Sequence, residues 1–585
     1  MSDFRFSPRA NRAGEIGWMP WGADAFERAR AEDKPILLSI SAVWCHWCHV
    51  MDETSYSDPG VIAAIGERFV PIRVDNDRRP DVNARYNMGG WPTTAFLAPD
   101  GSTLTGATYL PPDQMRRALE EISQFYAANK AEIAARTARL QTAAGGYKPS
   151  SREDLRPSMI VRLIEQLTEG YDDEFGGFGD APKFPQPELL EFLLTEWRFS
   201  HDSRIYAMVA KTILGMSRGG TYDHVEGGFF RYSTTRDWSV PHFEKMADDH
   251  AGLLRVLAQL ALFAPTDEFH ATLASAVGYV RTTLRDARTG FFAGSQDADE
   301  EYFSLPLDER RERAAPFVDR TSYTNWTCAL AGAWFLAGAA LDDDALLREA
   351  GETLDGVHER LIDPDGLAYH FVVPGGAPQV RGLLTDQSAY LRALLDGHEL
   401  SGQTRFLERA RALADRIVER FEAGDGGFYD HIPLEVQIGR LDIADRPIVD
   451  NGLVAESLLR LSGLTGDEGY RRHAERAVTL FARTYAAAGS FAATYGRALR
   501  RYLAPEVAVR VVGDPDATAG FREAALRLPA PAATIRTVEP AAAGTLGLPP
   551  LPAPAAYVCA GSACGAPARD PAGLRAAYDD LVPMS

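Results

Sequence analysis

The chain has 585 residues, of which 45% are hydrophobic and 24% are charged, with a formal net charge of -20. That length is too great for one small domain, and the composition is that of a globular protein with a large core. The acidic balance, with no local basic patch, argues against nucleic acid and anionic membranes as partners. With only five cysteines the chain is not a disulfide scaffold, and we expect a cytoplasmic location.

Two further features of the sequence bear on location. The first residues, MSDFRFSPRANRAG, contain no apolar core, so we expect no secretory signal. The sequence also has no apolar run long enough for a membrane-spanning helix, so we expect no membrane partner.

The first predicted strand leads directly into a pair of cysteines. The apolar run Ile36–Ile40 predicts a buried strand, and CHWCH follows it at residues 45–49. A C-x-x-C pair in that position should lie at the N-terminal end of the next helix. Unpaired backbone N–H groups and the helix dipole favour a thiolate there. The sequence therefore predicts a dithiol that can attack or form a disulfide.

The elements around this dithiol are predicted in the order βαβ, β-hairpin, α. They are a helix over Ala23–Ala31, a helix beginning at Asp58-Pro59, a strand over Phe69–Val74, a helix over Pro80–Tyr86, a strand over Thr94–Leu97, a turn at 99–101, a strand over Ser102–Thr108, and a helix capped by Asp113 that runs to about Leu140.

That order, with Trp91-Pro92-Thr93 before the hairpin, resembles the thioredoxin fold. The resemblance implies a cis Trp91–Pro92 bond, with Pro92 against the dithiol. It makes Cys45 the exposed attacking thiol and Cys48 the resolving thiol. A charged His46 would stabilise a Cys45 thiolate and make the pair more oxidising. The chain departs from thioredoxins at Ser39, where they carry a buried aspartate.

Three alternatives for residues 45–49 stay open. The pattern C-x-x-C-H is also that of haem c attachment. Cys45, Cys48 and His49 could hold zinc if a fourth ligand were present. The module could also have lost turnover and serve as a docking surface. Because both cysteines are present, the redox-capable dithiol is favoured, and no metal or cofactor is predicted.

A polar linker, residues 141–154, precedes a region that is almost entirely helical. Eleven helices are predicted from apolar residues at helical spacing. They are Leu155–Gly170, Glu188–Phe199, Ser203–Arg218, Asp249–Phe263, Asp267–Arg285, Asn325–Leu341, Ala345–Leu361, Asp386–Leu400, Arg405–Phe421, Asn451–Leu464 and Glu468–Ala487.

Glycine-aromatic turns separate pairs of these helices and recur at intervals of roughly 50 to 75 residues. They contain Gly177, Gly228, Gly290, Gly366, Gly427 and Gly489. Helix pairs that need neighbours to bury their apolar faces predict a closed ring, most simply of six pairs. The pattern resembles the (α/α)6 toroid of six-hairpin glycosidases and of the N-acylglucosamine 2-epimerase family. For the twelfth helix we expect the long helix that ends near Leu140.

Candidate binding and catalytic residues cluster in the loops of this ring. Loops rich in ionisable groups are more often functional than structural. Aromatic rings beside carboxylates and histidines suit a sugar, which a ring can stack on while a carboxylate–histidine pair does acid–base work. Candidates for catalysis are Asp223, His224, His242, Glu244 and Asp249. Candidates for substrate binding are Lys183, Phe184, Arg231, Tyr232, Trp238, Lys245, Asp297, Asp299, Asp386 and Asn451.

Ordinary structural roles remain open for several of these side chains. Asp386 and Asn451 both open predicted helices and could be N-caps. Asp299 could be a solvated loop charge. His224 and His242 could be hydrogen-bonding groups of the core.

The long motifs together resemble one family. CHWCHVM, VDNDRRPDV, GGWPTTAFLAPDG, GGFGDAPKFP, YDHVEGGFFRYSTTRDWSVPHFEKM and YVCAGSAC are similar to the thioredoxin-domain family that includes spermatogenesis-associated protein 20. The resemblance implies a multidomain chain. Its parts are a thioredoxin-like α/β domain (1–145), an all-α (α/α)6 toroid, six-hairpin glycosidase-like (146–495), and a small α/β C-terminal region (496–585).

The tail is predicted to contain strands, two helices and a second cysteine pair. Strands are expected over Glu506–Gly513 and Thr534–Val538, and helices over Ala517–Leu526 and Leu574–Leu581, the last packing back on the ring. Cys559 and Cys564 form a C-x4-C pattern. They could be a second dithiol that exchanges with Cys45, a metal pair that lacks partners, or two reduced thiols.

Two functional hypotheses follow from the sequence. In the first, the chain is an enzyme with a thiol–disulfide exchange head and a ring that alters a carbohydrate-like substrate, as a hydrolase or 2-epimerase. In the second, the ring binds a carbohydrate or peptide without turnover and the head docks a partner protein. The sequence alone does not select between hydrolysis and epimerisation.

Overall fold

The computed structural model describes residues 4–144, 154–432, 438–549, 554–561 and 563–582. The chain forms two compact units, Met1–Ser150 with His431–Asp445, and Ser151–Asp430 with Arg446–Ser585. The predicted linker 141–154 falls largely outside the described residues. The three-part division of the sequence stays a prediction.

The first unit has the order of elements that the sequence predicted. Its helices and strands are α1 Ala23–Glu32, β1 Ile36–Ser41, α2 His46–Glu53, α3 Pro59–Arg68, β2 Val70–Asp75, α4 Pro80–Tyr86, β3 Thr93–Leu97, β4 Thr103–Ala107 and α5 Pro112–Ala144, with 3₁₀ turns at Ala13–Ile16, Ser55–Ser57 and Gly439–Asp442.

These strands form one sheet in the order β2-β1-β3-β4. Strand β1 is parallel to β2 and antiparallel to β3, and β3 is antiparallel to β4. Every residue of β1 is buried, as expected for a central strand covered on both faces. The thioredoxin-like fold is confirmed. One detail differs: α5 begins at Pro112, so Asp113 lies in its first turn and is not its cap.

A segment from far along the chain completes the core of this unit. Leu441 is buried with Trp21 and Tyr86 in one apolar cluster. The Tyr86 hydroxyl accepts the backbone N–H of Arg440 at 2.8 Å and donates to the carbonyl of Gly101 at 2.9 Å. Sequence reasoning missed this excursion because no local pattern in 438–445 indicates what it packs against.

The second unit contains a closed ring of helices. Its helices are α6 Pro157–Thr168, α7 Pro187–Ser200, α8 Ser203–Arg218, α9 Ala247–Phe263, α10 Asp267–Tyr279, α11 Glu300–Phe303, α12 Leu307–Arg311, α13 Thr324–Leu341, α14 Asp344–Arg360, α15 Leu384–Ser401, α16 Thr404–Phe421, α17 Ile448–Thr465, α18 Glu468–Phe481 and α19 Ala493–Leu503. A π-helical turn, Val280–Leu284, extends α10, and a 3₁₀ segment, Tyr485–Ala492, precedes α19.

Six inner helices form the wall of the ring. Helices α7, α9, α13, α15, α17 and α19 each contact the next, and α19 closes the circle against α7. Helices α6, α8, α10, α14, α16 and α18 pack outside them as partners. The (α/α)6 arrangement is therefore confirmed, but the expected twelfth helix was wrong. It is α19, which packs on α6, α7 and α17, and not the helix that ends near Leu140.

Short strands connect the helix pairs at the loops of the ring. They are β5 Tyr232–Ser233, β6 Pro241–His242, β7 Lys245–Met246, β8 Ser295–Gln296, β9 Val318–Asp319, β10 Ser322–Tyr323, β11 Tyr369–Val372 and β12 Gln379–Arg381. Five of the six predicted glycine-aromatic turns close β-bridges, such as Tyr171 with Phe178 and Tyr222 with Phe229. The sixth, at Gly489, lies within the 3₁₀ segment.

The tail forms a second α/β lobe on the ring unit. It comprises β13 Val507–Val512, α20 Ala519–Leu526, β14 Thr534–Val538, a 3₁₀ turn Pro540–Leu546, β15 Ala555–Ala560, β16 Ala563–Cys564, a 3₁₀ turn Pro571–Gly573 and α21 Leu574–Leu581. Helix α21 does not pack back on the ring as predicted. Its Leu574 and Tyr578 are buried with Val509 and Val558 in the lobe's own core.

Candidate functional sites

The cysteine pair lies where the first strand passes into α2. Cys45 is the N-cap of α2, and its Sγ accepts the backbone N–H of Cys48 at 3.1 Å. The two cysteines are joined as a disulfide, and both side chains are buried. The expectation that Cys45 is exposed was therefore wrong: it is 4% exposed, because its sulfur is bonded to Cys48 at the start of α2. The Cys48 N–H also lies 3.0 Å from the Cys45 carbonyl. When the disulfide is reduced, the contact of this N–H with Cys45 Sγ at the start of the helix stabilises negative charge on that sulfur.

A cis proline and a pair of tryptophans belong to the same unit as the disulfide. The Trp91–Pro92 bond is cis, as predicted, and Pro92 is buried immediately before β3. The Trp44 indole donates to Asp77 Oδ2 at 2.7 Å, and its ring meets Trp91 edge-on at 5.6 Å. These contacts hold the Trp44 and Trp91 rings in place.

The two residues between the cysteines face solvent. His46 is exposed, and Trp47 is 53% exposed with its ring against Tyr109 at 5.3 Å. His49 is partly covered, and burial lowers its pKa below the usual value. Burial therefore disfavours a charged imidazole at His49.

A buried ion pair near α2 was not found from the sequence. Asp52 follows Cys48 by one helical turn and pairs with Arg73 of β2, with 2.7 Å between Asp52 Oδ1 and the guanidinium. Asp52 Oδ2 also accepts the backbone N–H of Ser7. Ser39, at the position of the thioredoxin aspartate, is buried. The i,i+4 spacing from Cys48 is the signal that could have drawn attention to Asp52.

In the ring, several predicted site residues hold the glycine-aromatic turns. Lys183 Nζ bonds to Asp172 Oδ2 at 2.6 Å and to the carbonyl of Gly176 at 2.9 Å. Lys245 Nζ repeats this arrangement, at 2.8 Å from both Asp223 Oδ2 and the carbonyl of Gly227. In each case a buried cation joins a carboxylate to a glycine carbonyl of the turn.

The surroundings of the Lys245–Asp223 ion pair shift the pKa of both side chains. Burial lowers the pKa of Lys245 to about 8, against the opposing effect of Asp223. Burial also acts to raise the pKa of Asp223, but Lys245 and Arg310 outweigh it and hold that pKa below its usual value. The Arg310 guanidinium lies 2.7 Å from Asp223 Oδ2. Sequence reasoning did not identify Arg310 as a partner, because it lies in α12, far along the chain from Asp223.

Trp238 and Asn451 are also engaged with these turns. Trp238 is fully buried, and its indole N–H lies 3.2 Å from the carbonyl of Gly176. Asn451 accepts the N–H of Phe428 at 2.7 Å and donates to the Phe428 carbonyl at 2.9 Å. His250, which the sequence did not single out, accepts the N–H of Phe229 at 2.9 Å. The functional roles predicted for Trp238 and Asn451 stay predictions.

Glycine is required where these turns approach the helices. Gly228 has φ of +82°, and a Cβ there would lie 2.5 Å from a ring carbon of Tyr279. That conformation and that space both exclude a side chain.

A separate aromatic stack lies at the surface of the β5–β6 loop. Phe184, 44% exposed, stacks on Tyr232 at 4.7 Å, and Tyr232 stacks on His242 at 4.8 Å. Glu244 is buried behind the stack, with Oε1 3.4 Å from His242 Nδ1 and Oε2 3.4 Å from Arg231. The structure thus brings together five residues that the sequence predicted.

Three other candidates from the loops, His224, Asp297 and Asp299, are not part of this aromatic stack. His224 is exposed, with Nε2 3.0 Å from the carbonyl of Gly219. Asp299 is the N-cap of α11 and accepts the N–H of Tyr302 at 2.9 Å. Asp297 accepts the N–H of Ala298.

A cavity of about 250 Å³ opens inside the ring at the N-terminal ends of its inner helices. First-turn residues of five inner helices line it, because each of these helices begins at the same end of the ring. They are Glu188 of α7, Asp248 of α9, Asn325 and Trp326 of α13, Thr385 of α15, and Asp450 of α17. Arg255 and Arg392 lie deeper in the cavity. Glu188, Asp248, Trp326 and Arg392 were missed because their positions are scattered along the sequence.

The carboxyl groups at this end of the ring have raised pKa values. Burial raises the pKa of Asp450 to about 7, despite a hydrogen bond from Ser388 at 3.3 Å. Burial, and then the neighbouring charge of Asp248, raise the pKa of Asp249 well above its usual value. Asp249 Oδ2 is buried without a hydrogen-bond partner among the described residues.

Asp386 lies at the same end of the ring as this cavity, but its side chain is fully buried. Its carboxylate contacts His370 Nδ1 at 3.0 Å and accepts the N–H of Asn325 at 3.1 Å. Burial raises the pKa of Asp386, and His370 opposes that shift. This pair ties the start of α13, and with it Trp326, to the start of α15.

The described residues contain neither a metal-binding cluster nor a membrane-spanning helix. In that part of the chain, no three His, Cys, Asp or Glu side chains are grouped so that they could hold a metal ion. Among the same residues, no helix is long and apolar enough to cross a membrane.

Comparison with known proteins gives three similarities. Residues 9–145 match a family described as Thioredox_DsbH, a protein of unknown function (DUF255). Human spermatogenesis-associated protein 20 is 29% identical over an aligned length of 587. The alignment covers 78% of this chain and 74% of the human protein. The thiol:disulfide interchange protein DsbD of Pseudomonas fluorescens is 31% identical over 81 residues, covering 13% of this chain and 14% of DsbD.

Among solved structures, cellobiose 2-epimerase from Bacillus thermoamylovorans aligns with 55% of this chain and 86% of its own, at 13% identity and a TM-score of 0.46. The long similarity to the human protein covers both the thioredoxin-like unit and the ring. The chain is thus similar to spermatogenesis-associated protein 20 along most of its length, and its first unit matches the Thioredox_DsbH family.

Proposed function

We propose that the first unit catalyses thiol–disulfide exchange through Cys45 and Cys48. The observation that carries this proposal is the position of Cys45 at the N-cap of α2, where the N–H of Cys48 lies 3.1 Å from its sulfur. A thiolate in that position is stabilised by the helix and remains nucleophilic. Few cysteines and no disulfide scaffold support the cytoplasm as the location in which this dithiol acts.

In the reductive direction, the Cys45 thiolate attacks one sulfur of a partner protein's disulfide and releases the other as a thiolate. The Cys48 thiolate then attacks Cys45 Sγ in the mixed disulfide and releases the partner's second thiolate. The partner gains two electrons and two protons, and the Cys45–Cys48 disulfide forms. His46 would stabilise the Cys45 thiolate, and Pro92 would face the partner's chain beside the dithiol.

Similarity to a thiol:disulfide interchange protein supports the same reaction. The exposed Trp47 offers a partner an apolar surface directly beside the cysteines. A docking module without turnover would also use that surface, so the two functions must be separated by the chemistry of the cysteines.

The deciding experiment measures the reduction potential of Cys45–Cys48 in the Cys559→Ser/Cys564→Ser protein. A value of roughly -120 to -270 mV, the range of known exchangers, is expected. Cys45→Ser is the control and should form no mixed disulfide. A pair that never closes, or that reacts no faster than a free cysteine at neutral pH, would leave docking as the function of the head.

For the ring we propose a ligand with several hydroxyl groups, such as a sugar or glycan. The supporting observation is one cavity that combines Trp326 with carboxyl groups of raised pKa, including Asp450. An aromatic ring can cover the apolar face of a sugar, and a carboxyl group poised near neutral pH can donate and accept protons. Hydrolysis and 2-epimerisation both need this combination.

Binding without turnover is the alternative for the ring. Titration of mono- and oligosaccharides, followed by tryptophan fluorescence, should show saturable quenching that Trp326→Ala removes. Product analysis by NMR then separates catalysis from binding. Turnover that is lost in Asp450→Asn, with binding retained, supports an enzyme, whereas binding with no product in any condition supports a binding protein.

A further inference from the structure

The C-terminal lobe has the same strand arrangement as the thioredoxin-like unit. Its sheet runs β14-β13-β15-β16, with β13 parallel to β14 and antiparallel to β15, and β15 antiparallel to β16. The first unit has the order β2-β1-β3-β4 with the same directions. In both, a helix connects the two parallel strands and another follows the hairpin. The chain therefore carries two lobes of thioredoxin-like topology.

The cysteine pair of the second lobe lies at a different place in that topology. Cys559 and Cys564 face each other across β15 and β16, at the edge of the sheet, and are joined as a disulfide. Cys559 is 6% exposed, whereas Cys564 is exposed. One sulfur of the bond is thus open to an attacking thiolate while the other is packed in the lobe.

As a cross-link, this disulfide stabilises the lobe less than one that closes a long loop would. The two cysteines are five positions apart, and the stabilisation from a disulfide grows with the length of chain that it closes. The lobe already has an apolar core on the other face of its sheet, around Val509, Ile535 and Val558. A structural role explains the bond poorly, because the hairpin that it closes is already paired by β15 and β16.

A recess beside the disulfide has room for the rest of a thiol-bearing molecule. Its volume is about 410 Å³, and Ala508, Arg510 and Cys559 line it from one face of the sheet. Arg471 and Arg501 line it from the ring, together with Glu468 and Glu506. Arg471 pairs with Glu506 at 3.3 Å, so Arg501 and Arg510 against Glu468 leave the recess with a formal excess of one positive charge. Positive charge favours approach of a thiolate and its formation at the released sulfur.

We infer that Cys559–Cys564 is a second redox-active disulfide, opened by a thiolate that attacks Cys564 Sγ. The attacking sulfur bonds to Cys564, and Cys559 Sγ leaves with the electron pair and takes up a proton. A second thiolate then attacks the attacker's sulfur and releases Cys564. Two thiols become one disulfide, and the cysteine pair gains two electrons and two protons.

The reductant is a thiol, either a small one such as glutathione or the dithiol of a protein. The test uses the full-length Cys45→Ser/Cys48→Ser protein, so its outcome is independent of the exchange proposed for the first unit. The protein is equilibrated in a mostly reduced glutathione buffer, or with reduced thioredoxin, and free thiols are alkylated and located by peptide mass spectrometry. Cys328 is fully buried and serves as an internal reference.

We expect more than half of the pair to open reversibly with at least one reductant. Reduction by glutathione identifies a small thiol as the reductant, and reduction by thioredoxin alone identifies a protein dithiol. A pair that stays closed in both buffers and opens only when the protein unfolds is a structural bond, and the inference is then wrong.

The site of attack gives an independent check. The mixed disulfide trapped on the intact pair should carry glutathione on Cys564. In the same background, Cys559→Ser should leave a thiol that oxidised glutathione modifies at least about tenfold faster than the thiol left by Cys564→Ser. Because trapping on the intact pair needs no further substitution, a misfolded variant does not block the test. Adducts mainly on Cys559 would contradict the proposed attack.

Discussion

Lys245 and Asp223 form a fully buried ion pair, with Nζ of Lys245 2.8 Å from Oδ2 of Asp223. Lys183 and Asp172 form an equivalent pair in another turn. Both lysines also bond to a glycine carbonyl of their turn. This repetition shows how the ring fixes loops that carry no regular secondary structure. It also gives Lys245 a structural task besides the ligand contact predicted for it.

Replacing Lys245 should therefore destabilise the ring. In Lys245→Met, Asp223 would keep its charge in a buried site where, among the described residues, Arg310 is its one remaining ion-pair partner. The expected loss is about 3–5 kcal/mol of unfolding free energy. Denaturant titration measures it. Arg236→Met is the matched control, because Arg236 also contacts a turn aspartate, Asp172, but is 45% exposed. Its expected loss is below about 1 kcal/mol. Equal losses in the two variants would contradict this reasoning.

The Asp52–Arg73 pair should behave in the same way in the thioredoxin-like unit. Both side chains are almost completely buried, so Arg73→Met leaves an unpaired carboxylate and should lower stability by about 3–5 kcal/mol. Removing both charges in Asp52→Leu/Arg73→Met should recover most of that loss. The urea midpoints of the two variants test this expectation. A double variant less stable than Arg73→Met would show that the unpaired buried charge does not cause the loss of stability.

The helices and strands of the thioredoxin-like unit could be predicted because the sequence patterns that specify them are local. The run Ile36–Ile40, the N-cap Asp58 and the turn at Asp100-Gly101 each specify structure within a few residues. The closing helix α19 was missed because its apolar residues follow a 3₁₀ segment, and only contact with α7 shows that it completes the ring. The fold could therefore be predicted from the sequence more completely than the candidate site.

The ring cavity could not be assembled from sequence because its residues come from five separate helices. Glu188 and Asp248 each look like an ordinary acidic residue in a first helical turn. Only the closed ring brings them into one cavity with Trp326 and Asp450. By contrast, the loop residues Lys183 and Lys245 stood out in the sequence, and the structure engages both of them in buried ion pairs.

The pKa of Asp450, raised to about 7 by burial, predicts a pH-dependent stability. An aspartate of the unfolded chain has a pKa near 3.9, so the folded state holds a proton that the unfolded state releases over the interval between these values. The stabilisation is complete below about pH 4 and is lost as the pH rises through about 7. Asp450→Asn, which stays neutral, should lose less thermal stability between pH 5 and pH 8 than the unaltered protein.

Melting temperatures at these two pH values test this expectation. Asp308→Asn is the control, since Asp308 is 96% exposed and should not change the pH dependence. If Asp450→Asn and the unaltered protein lose the same stability over this interval, Asp450 is ionised throughout it and cannot serve as the proton donor proposed for the ring.

His46 should tune the reactivity of Cys45 in a pH-dependent way. It is exposed in the first turn of α2, next to Cys45 in the chain, and an exposed pair of opposite charges is worth up to about 1 kcal/mol. His46→Ala should therefore slow alkylation of reduced Cys45 about two- to fivefold near pH 6, where an imidazole is charged, and have little effect above pH 8. His49→Ala is the matched control and should change the rate less, because burial lowers the pKa of His49 and so disfavours its charged form. A pH-independent effect of His46→Ala would mean that His46 acts by packing, and the electrostatic role assigned to it would then be wrong.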